Sequence, residues 1–79
     1  MSPTVLRDGP YRFHFYSHDS PEPAHIHADR DDCSAKFWLN PVSLAYNFGY
    51  SNFELRVIQR IVEENRAKLI AAWNQYFGA

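Results

Sequence analysis

Two histidines one residue apart, His25 and His27, stand in the stretch EPAHIHADRDD, behind Pro21 and Pro23 and ahead of three aspartates. In an extended strand, alternate side chains share a face, so the two imidazoles would lie about 7 Å apart on one side. That spacing serves two chemistries. As metal ligands for zinc or manganese, His25 and His27 need a third donor, for which His14, Asp29 and Asp31 are the candidates. As a catalytic pair, one imidazole acts as general base and the other as general acid. Lys36 or Arg12 would then stabilise developing charge, as a small ribonuclease or metal-dependent hydrolase requires.

Two non-enzymatic readings use the same residues. Tyr16 and Trp38 can stack bases while Arg12 and Lys36 meet phosphate, which would suit single-stranded nucleic acid. Alternatively Arg12, His14, Tyr16, Lys36 and Trp38 form a protein interface, with a second copy or a small partner, because Trp, Tyr and Arg are the usual anchors of such contacts. This last reading ranks first, since so short a chain gains from association. The plain alternative for the histidines is imidazole stacked on Trp38 or Tyr16 with no chemistry.

The elements that must position these residues follow from periodicity. Thr4–Arg7 reads as a short strand ended by the turn signal Asp8-Gly9-Pro10. Tyr11–Tyr16 alternates, with Tyr11, Phe13 and Phe15 on one side and Arg12, His14 and Tyr16 on the other. Next, HIHADR sets Ile26 and Ala28 against His25, His27 and Asp29. Asp31-Asp32 is a hairpin turn into SAKFWLN, where Ala35, Phe37 and Leu39 oppose Lys36 and Trp38. From residue 51 the pattern is helical. Ser51 is an N-cap, Glu54 completes a capping box, and Tyr50 with Leu55 forms a hydrophobic staple. Leu55, Ile58, Ile61, Val62, Leu69, Ala72, Trp73 and Tyr76 fall on one stripe, interrupted by Asn65, which is expected to bond a backbone group. Arg56, Arg60, Arg66 and Lys68 read as a solvated face.

The expectation is an α+β fold of one domain over residues 1–79. An antiparallel meander of three to four strands (about 4–40) leads through a short helical or loop segment (41–50) to one long C-terminal helix (about 51–77). One sheet face packs on that helix; the other, with three of the four histidines, meets solvent, a ligand or another chain.

Composition narrows the function classes. A chain of 79 residues has a marginal core unless it is dense, and six Phe, five Tyr and two Trp supply the density. The single cysteine, Cys33, excludes an internal disulfide and fits a reducing compartment; beside Asp31 and Asp32 it lacks the electropositive setting of a reactive thiol. A net charge of −1 gives no overall nucleic-acid footprint. With no apolar run of about 18 residues and no apolar leader segment, a soluble cytoplasmic protein that does not enter membranes is expected.

Several pieces together resemble the prokaryotic domain-of-unknown-function 4160 family over nearly the whole chain. They are Phe15-Tyr16-Ser17, Glu22-Pro23 ahead of His25-x-His27, Ala35-Lys36-Phe37-Trp38-Leu39, Glu64-Asn65, and Trp73-Asn74 ahead of Tyr76-Phe77. The chain departs at Arg30-Asp31-Asp32-Cys33, where relatives often carry a glycine. The resemblance implies a small cytoplasmic protein, often encoded beside another small gene and suspected of belonging to toxin–antitoxin-like pairs. It implies no established activity, so whether the chain is an enzyme stays open.

Overall fold

The computed structural model describes residues 4–78. Five strands come first: β1 (Thr4–Asp8), β2 (Tyr11–His14), β3 (His25–Arg30), β4 (Cys33–Leu39) and β5 (Val42–Phe48). Two helices follow, α1 (Asn52–Glu64) and α2 (Arg66–Phe77). The strands form one antiparallel sheet in sequence order. Registers Asp8↔Tyr11, Arg30↔Cys33 and Leu39↔Val42 leave tight turns between three of the four strand pairs. Only β2 and β3 are joined by a long link, residues 15–24.

The α+β class is as read from the sequence, with more strands. Residues 42–48 form a fifth strand, not the helical or loop segment expected there. The reason is exposure. β5 lies at the edge of the sheet, the β4–β5 register slips between Lys36 and Phe37, and neither side of β5 is fully buried, so its apolar residues do not alternate cleanly.

The turn at Asp31 explains the missing glycine. Asp31 takes φ 52°, in the left-handed region that glycine enters freely and aspartate tolerates better than most side chains. Nearby, Gly49 (φ 101°) lies so close to Cys33 that an added Cβ would stand 3.0 Å from its Sγ. Cys33 is thus a packing residue beneath a bend.

Alternation places the core as anticipated. Tyr11, Phe13, Phe15, Ile26, Ala28, Ala35, Phe37 and Leu39 are all buried against Ile58, Val62, Leu69 and Trp73. Ala28 and Ala35 pair directly, and the Tyr50 hydroxyl donates to the Ala28 carbonyl at 2.9 Å. Ser51 caps α1, its Oγ accepting from the Glu54 amide at 3.2 Å. The reciprocal half of the capping box is not made. Glu54 instead accepts two hydrogen bonds from Arg30 (2.7 and 2.8 Å) and one from the Tyr11 hydroxyl (2.8 Å), tying the first turn of α1 to the sheet. The Arg30 hydrogen bonds, then that of Tyr11, hold the Glu54 carboxyl below its usual range.

The single long helix is broken at Asn65. Its Nδ2 donates to the Ile61 carbonyl at 2.8 Å, and its backbone amide is shared between the Ile61 and Val62 carbonyls (3.1 and 3.2 Å). The side chain thus takes a backbone acceptor, as expected, but as the hinge of a kink. A straight helix over this span would be about 39 Å long, more than the 34 Å longest extent of the molecule. The break folds α2 back onto the sheet. Arg66, read as solvated, fastens that return: it donates to the Leu39 carbonyl (2.7 Å) and to Asn40 Oδ1 (2.9 Å) at the end of β4.

Two stability measurements check this packing. In urea melts Leu69→Ala should cost ~2–5 kcal/mol, whereas Arg60→Ala on the outer face should stay within ~0.5 kcal/mol. Asp31→Gly should raise stability by about 1 kcal/mol by relieving the left-handed backbone; a loss there would contradict the turn geometry.

Candidate functional site

The antiparallel registers assemble the second sheet face from short-range alternation. His14 of β2 lies opposite His27, Lys36 of β4 lies opposite His27 on the other side, and Trp38 lies opposite His25. This face was expected to meet solvent, a ligand or another chain. The link between β2 and β3 covers it instead. Residues 16–22 turn tightly, with the Asp19 amide on the Tyr16 carbonyl (3.1 Å) and the Glu22 amide on the Asp19 carbonyl (3.0 Å). The turn drives the Asp19 carboxylate inward, where its Oδ2 accepts from the Tyr16 amide at 2.7 Å. Asp19, His14, His25 and His27 are all buried.

Asp19 Oδ2 lies 3.2 Å from His27 Nε2 and 3.0 Å from His25 Nε2. The distance to His27 has hydrogen-bond geometry; His25 Nε2 has no hydrogen-bond partner at all. The other ring nitrogen of His25 fixes its tautomer. His25 Nδ1 lies 2.9 Å from the Pro23 carbonyl, which can only accept, so Nδ1 carries the proton. Rings complete the surroundings. His25 stands between Trp38 (centroids 5.7 Å) and Trp73 of α2 (4.9 Å), and His27 meets Tyr16 (4.7 Å).

His14 and Asp29, the first candidates for a third donor, are engaged with each other. His14 Nε2 is 2.7 Å from Asp29 Oδ2, while Asp29 Oδ1 accepts from the Ser34 hydroxyl at 2.7 Å. The His14 ring is stacked on His27 at 5.5 Å without joining the Asp19 group. Asp31 is paired with Arg30 in the turn at the far end of β3. The remaining residues of the face also have neighbours. Arg12 Nε donates to Thr4 Oγ1 (2.7 Å), and Lys36 hydrogen-bonds Glu22 with its ammonium 4.6 Å from the Trp38 ring centroid. Tyr16, partly exposed, stacks on His18.

Asp19 is the residue that sequence reasoning missed. It sits in a non-periodic loop, where an aspartate reads as a turn former; only the SHDSPEP composition hinted at a structured link. Burial alone would raise its carboxyl pKa, but the Tyr16 amide, His25 and His27 outweigh that and hold it below the usual range. Burial is also the main influence on His27. It pushes the imidazole pKa down, and the attraction of Asp19 only partly offsets it.

The edge of the sheet is a second feature. β1, at one margin, carries Arg7 and Asp8, whereas β5, at the other, has the uncharged sequence VSLAYNF with Leu44, Tyr46 and Phe48 exposed. Tyr46 and Phe48 pair with Lys36 and Ser34, so they extend the histidine-bearing face outward; Leu44 pairs with Phe37 on the helix side. Tyr46 also reaches the cluster, its hydroxyl 3.5 Å from His27 Nδ1.

Fold and site define an α+β meander with two helices, joined at the Asn65 break, on one face and a loop-covered Asp–His cluster on the other. The chain belongs to the family described as Domain of unknown function (DUF4160), whose model matches residues 11–74. No curated protein and no solved structure matches it. No helix among the described residues is long and apolar enough to cross a membrane.

The cluster predicts a pH dependence of folding. An unfolded histidine takes up its proton near pH ~6.5, and folded His27 does so only at lower pH, so acidification below that point favours the unfolded chain. Asp19 acts in the same direction further down. Its lowered pKa stabilises the fold above pH ~3.9, and this stabilisation is lost as pH falls through the folded value. Urea midpoints measured with chelator should therefore fall from pH 7.5 towards pH 4, and His27→Gln should flatten the upper part of that curve. An upper limb unchanged by the substitution would show that His27 is not the group responsible.

Proposed function

We propose that this protein is a non-enzymatic interaction module, one component of a toxin–antitoxin-like pair, that binds a small protein partner along the outer edge of β5. The observation that carries the reading is the edge itself. A seven-residue uncharged margin with exposed Leu44, Tyr46 and Phe48 offers unpaired backbone groups, with none of the charges or prolines that usually blunt such edges. An extended segment can add there as a sixth strand, its backbone supplying affinity and its side chains specificity.

The partner's chemistry follows from the exposed side of α1, the helix that packs on β5. On α1, exposed Phe53 and Val57 share a shallow groove with Ile61, Arg56 and Arg60, and no acid lines it. A strand with apolar anchors and acidic flanks complements that surface, and opposite charge would speed its association. The interface therefore lies at the margin of the histidine-bearing face. The inner residues of that face, His14, His25 and His27, are already covered. The resemblance to a family encoded beside other small genes supports the neighbouring gene product as the occupant.

Co-expression with that product should yield a complex in size-exclusion chromatography. Phe48→Lys should weaken it at least about tenfold, yet leave folding stability within ~0.5 kcal/mol, because Phe48 is 70% exposed. A complex indifferent to both Phe48→Lys and Leu44→Lys would place the interface elsewhere, and a homodimer broken by Phe48→Lys would assign the edge to a second copy. Growth arrest relieved by the neighbour but lost in His25→Ala would favour the ribonuclease reading over the module.

A further inference from the structure

From the geometry of the buried cluster we propose that Asp19, His25 and His27 bind one divalent transition-metal ion of the zinc class, through Asp19 Oδ2 and the Nε2 atoms of both histidines. Three observations support the site. One donor atom from each residue lies within 4.8 Å of the others. The Asp19–imidazole separations of 3.0 and 3.2 Å are close to the about 3.3 Å that neighbouring ligands adopt around a tetrahedral zinc with bonds near 2.0–2.1 Å. Such separations also suit hydrogen bonds, so the deciding observation is His25.

His25 is fully buried, and its Nδ1 proton is committed to the Pro23 carbonyl. The Nε2 atom then lies 3.0 Å from the Asp19 carboxylate with its in-plane axis directed off the line to Oδ2, so that nitrogen has no hydrogen-bond partner. A buried nitrogen left without a partner beside a buried carboxylate is costly out of water, and a cation seated between the two satisfies both. A backbone carbonyl on the far nitrogen is the usual support of a metal-ligating histidine, because it fixes the ring and the tautomer.

His27 can join by a tautomer exchange. Without metal its Nε2 proton is donated to Asp19. With metal, that proton resides on Nδ1, where the Tyr46 oxygen, 3.5 Å away, accepts it. The ring keeps one proton throughout, so this exchange releases none. Asp19 is positioned independently of the metal by the Tyr16 amide on the same oxygen. Two imidazoles and one carboxylate make a mixed nitrogen–oxygen set that favours zinc over manganese or magnesium. Three protein ligands leave a fourth position for water or a donor from outside the chain. The site touches β5 only through the Tyr46 hydroxyl, and its three ligands do not depend on the interaction reading.

Calorimetric titration of chelator-treated protein with Zn²⁺ should show one equivalent bound. Affinity should fall at least about tenfold in Asp19→Asn and in His27→Gln and be unchanged in His18→Ala, whose ring lies on the exposed side of Tyr16. Should the buried substitutions unfold the chain, the wild type decides by itself. In long-range ¹H–¹⁵N spectra, zinc should move the Nε2 resonances of His25 and His27 and leave the ring nitrogens of His18 in place. Absence of saturable binding, or shifts confined to His18 or His14, would overturn the assignment.

Discussion

A single buried carboxylate organises the side of the sheet that the helices leave bare. Asp19 enters from a loop, takes the Tyr16 amide, and stands against two imidazoles whose Nε2 atoms would otherwise face neither water nor an acceptor. Buried polar groups are tolerated only when matched, so the loop, the aspartate and the two histidines form one unit. The 15–24 segment is long because it must carry that carboxylate across the face, while the other strand connections are tight turns. The matching is incomplete at His25 Nε2, and that gap is where a cation fits.

The opposite side is held by a different device. Apolar burial supplies the packing, but the placement of the helices depends on two arginines that reach across layers. Arg30 grips Glu54 at the start of α1, and Arg66 grips the end of β4 at the start of α2. Between them Asn65 spends its amide on the Ile61 carbonyl and breaks the helix, in a molecule whose longest extent is shorter than the unbroken rod. His25 joins the two sides: it belongs to the loop-covered face, yet its ring touches Trp73 of α2. A substitution at His25 would therefore be felt in the helical layer as well as in the cluster.

The proposed interface and the proposed metal site meet at Tyr46. Its pairing with Lys36 carries it outward along β5, and its hydroxyl turns in towards His27. A strand added at the edge would pack over a residue that supports the cluster. Partner binding and metal binding thus share one side chain while using different atoms.

Much of this was legible in the residues themselves, because strand alternation and helix periodicity are local. The meander, the core set from Tyr11 to Leu39, the Ser51 cap and the shared side of His25 and His27 all follow from side chains two to four positions apart. What periodicity cannot carry was decided by tertiary structure. β5 was hidden because an edge strand buried on neither side has no clean pattern. The kink was hidden because an amide in an apolar stripe hydrogen-bonds a backbone carbonyl whether it keeps a helix straight or ends it; contacts made across layers, such as Arg66 to the end of β4, are not visible in the stripe. Glu54 was assigned to its own cap because a long-range arginine is invisible in a four-residue motif. Asp19 was missed because a loop aspartate becomes a ligand or a buried anchor only when the chain places it over a face made by distant residues. The sequence by itself determined which residues face each other; tertiary structure alone decided what covers them, since covering depends on where a non-periodic link comes to rest.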